Sequence, residues 1–400
     1  MPHGHLKSGR LPLVGLAILV LALPAGALAQ AAGTAPQSCI QSRFAETAPY
    51  KTVEVLPNDR VTFRLCAPEA RSVNAIIPDI AGGAPGMPPR LRMARDNTGL
   101  WSVTTPEPIE PDTYRFVFEV EGVKLPDPLG SSFDKERVGV ASTFEVSGAS
   151  GDFQTYKSDV PHGVVSVVEY WSKSLDVRRR AHVYTPPGYM KSRVDYPVLY
   201  LVHGYAFSDD SWTSLGHAHY ILDNLIAAGK AKPMIVVMPF GHTPPRPGLN
   251  PMDNSDFGKD LTGDLIPYID KHFRTLADAN DRAMAGFSMG GMHTIRFGLT
   301  RPDLFHSIGI FSMGLGMHGN TAQVTKFEQA NDAALRDDAK SLRLLYLAIG
   351  DHDPFYSTSA PTRSMFDKYA IRYVYHESGG GHNFTNWRRY LADFAPRLFN

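Results

Sequence analysis

The chain has 400 residues, 43% of them hydrophobic and 20% charged, which is ample for a buried core and long enough for two domains. Forty Lys and Arg balance forty Asp and Glu, and no basic run marks a nucleic acid or an anionic surface as a partner. Only two cysteines are present, and no His/Cys/carboxylate pattern has metal-ligand spacing, so neither a metal nor another cofactor is expected.

In chain order, Lys7 and Arg10 precede an apolar run from Leu11 to Leu23, and Ala27-Leu28-Ala29 supplies small residues at a cleavage position. Residues 1–29 therefore read as a secretory signal peptide, too short and wrongly flanked for a membrane span. A secreted or periplasmic protein is expected, with no membrane contact in its mature form. Residues 30–50 follow as an N-terminal tail. In an oxidising compartment Cys39 and Cys66 are candidates for a disulfide tying that tail to the first strand, with two separate buried thiols as the alternative.

From 51 to 147 short alternating runs are divided by Pro, Gly and Asn turns. Examples are Val61-Thr62-Phe63-Arg64-Leu65, Trp101-Ser102-Val103-Thr104 and Tyr114-Arg115-Phe116-Val117-Phe118-Glu119-Val120. That is the pattern of an all-β immunoglobulin-like sandwich. Phe63-Arg64-Leu65-Cys66-Ala67-Pro68-Glu69-Ala70, Gly99-Leu100-Trp101, Tyr114-Arg115-Phe116 and Asp127-Pro128 resemble the early-set sandwich of family-48 carbohydrate-binding type. The resemblance implies contact with sugar, and the single Trp of the module, Trp101, points to substrate shaping rather than independent carbohydrate binding. Residues 148–160 read as a linker, its start marked by the flexible, polar stretch Ser147-Gly148-Ala149-Ser150-Gly151-Asp152.

From 161 to 400 strands alternate with helices. Pro197–Val202 and Met234–Met238 are continuous apolar runs, as for strands covered on both faces. Helices are expected over Ile221–Ala228, Leu261–Phe273 and Trp387–Phe394, and further strands over Ser307–Phe311, Arg343–Ile349 and Arg372–His376. This pattern predicts a mostly parallel sheet flanked by helices.

Between two of these strands lies Gly286-Phe287-Ser288-Met289-Gly290, a G-x-S-x-G sequence set between an apolar strand and a helix from about Met292 to Leu299. A serine thrust out at such a turn is a nucleophile if a histidine takes its proton and a carboxylate orients the histidine. Downstream stand His293, His306, His318, His352, His376 and His382; His382, in the glycine-rich loop after the last strand, is best placed to swing over the sheet edge. The acid is sought in Gly350-Asp351-His352-Asp353, where Asp353 reaches further round the loop and Asp351 suits a turn cap. Oxyanion donors are expected from the N–H groups of Met289 and of Tyr205, the latter after His203-Gly204 at the end of an early strand. His203 reads as a buried residue that holds the loop. Trp212 and Phe355 are candidate aromatic contacts for an acyl group.

Tyr184-Thr185-Pro186-Pro187-Gly188-Tyr189, then Asp195 to Gly204, Pro233 to Pro239, Ala285 to Gly291, and His382 with Trp387 together resemble the esterase D group of carbohydrate esterase family 1. The resemblance implies an α/β-hydrolase with Ser288, Asp353 and His382 as its triad and Tyr205 and Met289 as oxyanion donors. It implies a serine esterase whose partner is a polysaccharide-linked ester, a feruloyl ester of arabinoxylan first. Acetyl-xylan esterase and enterochelin-type siderophore esterase are the enzymatic alternatives, and a non-catalytic polysaccharide-binding protein is the alternative of another class. Relatives carry a second glycine soon after His-Gly, where this chain has Tyr205-Ala206-Phe207.

Overall fold

The computed structural model describes residues 39–40, 50–80, 88–250 and 254–400. The expected signal peptide and most of the tail lie outside the described residues. Residues 38–400 form one compact unit.

Its N-terminal part is all-β. Strands β1 (Val53–Val55), β2 (Val61–Cys66), β3 (Val73–Ile76), β4 (Arg90–Arg92), β5 (Ala94–Arg95), β6 (Leu100–Thr104), β7 (Asp112–Val120), β8 (Val123–Leu125), β9 (Phe133–Lys135) and β10 (Val140–Val146) form two antiparallel sheets. One has the order β1-β2-β6-β5; the other runs β4-β3-β7-β10-β9, with β8 paired to β7. Alternation along β2 and β7 turns Val61, Phe63, Leu65, Tyr114, Phe116 and Phe118 into one shared core. Trp101 belongs to that core: it is buried, and its indole N–H donates to the Ala67 carbonyl. Cys39 and Cys66 are joined in a disulfide.

The stretch expected as a linker is held on both sides. Gln154 is buried and donates to Asp112, while Asn224 donates to the carbonyls of Phe153 and Thr155. The composition of 147–152 suggested solvated chain, but contacts from distant elements fix residues 153–155 directly after it.

The rest is built on one eight-stranded sheet of β11 (Val164–Ser172), β12 (Val177–Thr185), β13 (Val198–Val202), β14 (Ile235–Pro239), β15 (Arg282–Phe287), β16 (Ser307–Phe311), β17 (Leu344–Gly350) and β18 (Val374–Ser378). The order is β11-β12-β14-β13-β15-β16-β17-β18. Pairing is parallel from β14 to β18 and antiparallel where β12 meets β11 and β14. Along β13, Val198, Tyr200 and Val202 enter one core cluster while Leu199 and Leu201 enter another. Both faces are thus covered, which is why these strands read as unbroken apolar runs.

The helices are α1 (Ser211–Ser214), α2 (Ala218–Ala227), α3 (Ser255–Asp260), α4 (Ile266–His272), α5 (Met289–His293), α6 (Thr321–Ser341), α7 (Ser359–Lys368) and α8 (Phe384–Phe394). Two expectations change here. The helix expected over 261–273 begins earlier, at α3, and passes through a π turn at Leu261–Leu265 before α4. The helix after the serine begins at Met289, directly against it, and widens into a π turn at Thr294–Gly298.

Candidate functional site

Strands β13, β15, β17 and β18 end on one edge of the sheet, where open α/β folds gather their functional loops. Ser288 sits between the end of β15 and the start of α5 with φ 56° and ψ −120°, a conformation that costs a non-glycine residue energy unless its surroundings impose it. The surroundings do so. A Cβ on Gly290 would stand 2.3 Å from the Val202 carbonyl oxygen, and one on Gly286 would stand 2.6 Å from the Gly290 carbonyl carbon. Glycine is therefore required on both sides for β13 and the turn to close on one another. The Ser288 N–H donates to the Phe311 carbonyl, which pins the turn to β16. Ser288 is 6% exposed.

The loop after β13 lies directly on this turn. A Cβ on Gly204 would meet the Phe287 ring at 2.5 Å and the Ser288 Cβ at 3.2 Å. His203 is buried; its Nδ1–H donates to the Gly204 carbonyl and its Nε2 accepts from the Gly241 N–H at 2.8 Å. Acceptance at Nε2 needs a neutral ring. Burial, followed by the neighbouring His242, accordingly holds the His203 pKa down at about 3. His203 is thus a brace for the loop, as its place in the sequence suggested. The Tyr205 N–H makes no hydrogen bond among the described residues. The Met289 N–H stands at the first position of α5, where no intrahelical acceptor exists.

Sequence reasoning missed who holds this loop from the other side. Arg137, just beyond β9, donates its N–H to the Ala206 carbonyl at 2.8 Å and lays its guanidinium 4.3 Å from the Tyr205 ring centre. Arg115 of β7 stacks likewise on Phe207, and Ser214 of α1 donates to Asp134 of β9. The all-β part therefore contributes to the shape of the loop beside Ser288.

At the end of β17, Asp353 is fully buried in its side chain, and its two carboxylate oxygens lie 2.9 and 3.1 Å from His382 Nδ1. Asp351 instead faces solvent and pairs with His352. The geometry thus joins His382 to Asp353 and leaves Asp351 outside. With Nδ1–H donated to the carboxylate, His382 Nε2 keeps its lone pair, and it makes no hydrogen bond among the described residues.

Trp387 of α8 connects this pair to the serine turn. It stacks flat on Phe287 at 3.8 Å, stands edge-on to His382 at 5.0 Å, and donates its indole N–H to Ser312. The histidine loop is held by Asn386, buried, whose amide donates to the carbonyls of Gly379 and Gly381. Asn383 accepts from the Asn386 N–H and caps α8. The Asn-x-x-Asn spacing after His382 was a capping signal that could have revealed Asn386.

The two acyl-contact candidates part company. Phe355 lies beside the site, half-buried, its ring centre 5.1 Å from that of His382. Trp212 is 1% exposed, wedged against Phe287 and Phe384, and so is core. A loop aromatic shortly after the oxyanion loop was a candidate either for ligand contact or for packing; here it packs, filling the space under the turn. Among the described residues no group of three or more His, Cys, Asp or Glu is arranged to hold a metal ion.

Comparison with known proteins agrees with this architecture. The family model Esterase matches residues 172–398, more than half of the chain. An endo-1,4-beta-xylanase/feruloyl esterase of Xylanibacter ruminicola is 34% identical over 344 residues, covering 84% of this chain; the chain spans 44% of that relative's length. A solved ferulic acid esterase is 25% identical with a TM-score of 0.51, covering 59% of this chain and 97% of its own. The enterochelin esterase of Shigella flexneri, 16% identical, superposes with a TM-score of 0.63 over 87% of this chain and 95% of its own. The fold is that of the α/β-hydrolase esterases, and the chain belongs to the esterase family.

Proposed function

We propose that the chain is an exported serine esterase that releases ferulate from esterified arabinoxylan through an acyl-enzyme on Ser288. The observation that carries the reading is His382 held by the buried Asp353 carboxylate and linked through Trp387 to a strained serine at a strand–helix turn. In this reading His382 Nε2 takes the Ser288 proton as the hydroxyl attacks the ester carbonyl. The N–H groups of Tyr205 and Met289 hold the oxyanion of the tetrahedral intermediate. The sugar alcohol leaves with the proton from His382, and water, deprotonated by the same imidazole, releases the acid and restores the serine. Phe355 is in place to flank a phenolic acyl group.

The feruloyl preference is supported by the name of the 34% identical relative and by the ferulic acid esterase structure. We take residues 51–147 to be an early-set module of family-48 carbohydrate-binding type, joined by 148–160 to a catalytic domain over 161–400. Its role is to shape the substrate site, which fits a buried Trp101 and the grip of Arg137 on the loop at Tyr205. Residues 1–29 are taken as the export signal, which puts the enzyme in the periplasm or outside the cell.

A siderophore esterase is the second reading, favoured by the likeness to the enterochelin esterase across both parts of the chain. One experiment separates the two: incubation with methyl ferulate, acetylated xylan and a triscatecholate ester. Rapid hydrolysis of methyl ferulate with the others slow is expected; preferential cleavage of the triscatecholate or of the acetyl ester overturns the feruloyl reading.

A further inference from the structure

Beyond the loop at Tyr205 the rim of the sheet carries a concavity. It is a groove of about 500 Å³ whose lining includes Lys135, Glu169, Arg178, Arg180, Asp209 and Phe240, with Thr243–Pro245 along it. It lies where β12 passes the end of β14, Ala181 pairing with Pro239. Three strand spacings separate β12 from β15, a lateral offset of about 14 Å between the strand that lines the groove and the strand that ends at Ser288. Rings bridge the interval: Phe240 lies 5.7 Å from His203, and His242 lies 5.6 Å from Tyr205.

The cations of this groove differ in what they are free to do. Arg179 is buried and holds the loop after β14, donating to Asp260 and to the carbonyls of His242 and Phe240. Arg180 donates through both arms to Asp209 at 2.6 and 2.7 Å, and Asp209 also faces His182. Both are therefore committed. The Lys135 side chain makes no hydrogen bond or ion pair among the described residues and is exposed. Arg178 meets Glu169 in a single 3.3 Å contact between side chains 73% and 52% exposed. An open pair of that kind contributes little and gives way to a better-placed anion. A guanidinium matches a carboxylate through two parallel hydrogen bonds, and an ammonium adds a third donor. Phe240 and the adjacent prolines supply an apolar surface of the sort on which sugar rings rest.

We propose that this groove is a subsite for a carboxylate-bearing sugar unit of the glycan whose ester is cleaved at Ser288, with Lys135 and Arg178 as the pair that recognises the carboxylate. The proposal rests on the reading of the chain as a polysaccharide esterase. The bonded pair Arg180–Asp209 forms the fixed wall, and Lys135 brings a residue of the all-β part to the substrate. An ester held over Ser288 on one branch of a glycan and an acidic unit in the groove then fix the chain at two points. Binding at the second point raises the effective concentration of the ester at the first.

The test compares kcat/KM for two feruloylated xylo-oligosaccharides of equal length, one with a uronic acid branch and one without, with methyl ferulate as a third substrate. The full-length protein is expected to prefer the acidic oligosaccharide about ten-fold at low salt, as one charge-assisted contact provides. The preference shrinks as ionic strength rises. In the K135Q/R178Q double variant the ratio of acidic to neutral substrate falls to about one, and in K135E it falls further still. Because each variant is read as a ratio, a general loss of folded enzyme leaves the result interpretable. Equal rates on both oligosaccharides in the unaltered protein, or an unchanged ratio in the variants, overturn the subsite while leaving the esterase reading intact. No hydrolysis of methyl ferulate or of either oligosaccharide overturns both.

Discussion

His382 and Asp353 form the most consequential pair of side chains in the protein. Asp353 is buried and held at 2.9 Å, so its carboxylate fixes which imidazole nitrogen carries the proton. Asp353→Asn is expected to lower kcat by about 10⁴-fold, the size of effect seen when a triad carboxylate is neutralised. Asp351→Asn, on an exposed carboxylate, is expected to stay within a few-fold of the parent. Steady-state hydrolysis of methyl ferulate by the two variants distinguishes them, and the reverse ranking removes Asp353 from the triad. Far from the site, Asp338 of α6 is buried, and neither of its carboxylate oxygens has a partner among the described residues. Burial, with Asp337 beside it, raises its pKa to about 8. Between about pH 4 and pH 8 the folded chain then holds a proton that the unfolded chain has lost, so stability declines as pH rises through that window. Asp338→Asn should raise Tm by about 2 °C or more at pH 8 and by less at pH 5. Identical melting of variant and parent at both pH values contradicts the assignment.

At the scale of elements, the site depends on loops being clamped from outside themselves. Asn386 holds the histidine loop by two carbonyls, so Asn386→Ala frees the loop without touching substrate. A fall in kcat of about ten-fold with KM nearly constant is expected, since one buried polar group loses its partners; a rise in KM alone would mean that Asn386 acts on binding instead. The elements also show what could be read in advance. The G-x-S-x-G turn, the order of serine, acid and histidine loops, and the buried strands were legible, because each is written within a few consecutive residues. Helix α6 was not foreseen. Its buried Val324 and Phe327 are followed only at Leu335 by another buried apolar residue, and non-helical Asn331 breaks the run between them. The choice of Asp353 over Asp351 could be argued from reach alone, and it is the fold of the β17 loop that buries one and exposes the other. Arg137 was illegible for a different reason: its partners Tyr205 and Ala206 lie on another part of the chain, and no local pattern announces such a contact.

Across the whole molecule, a buried network centred on Arg388 joins the all-β part to the part built on the large sheet. Arg388 of α8 is fully buried and donates to Asp112 and the Thr113 carbonyl of β7, and to the Leu215 carbonyl; Gln154 donates to the same Asp112 oxygen. Burial by itself would raise the Asp112 pKa, but the Arg388 charge and the surrounding hydrogen bonds outweigh it and leave it lowered. A lowered carboxylate pKa gives stability that is present above the unfolded value and is lost as pH falls through the folded one. Acid unfolding should accordingly release both parts in one transition below the ordinary carboxylate range. Asp112→Ala, which strands the guanidinium, should cost about 3–5 kcal/mol. Calorimetry that resolves two independent transitions in the parent protein would contradict this coupling. The central claim, however, rests on one oxygen atom. The direct test is the rate of ferulate release from methyl ferulate by Ser288→Ala, measured beside the parent protein on folded samples. A loss of roughly 10⁶-fold, leaving only background hydrolysis, is the predicted result; release at the parental rate would contradict it.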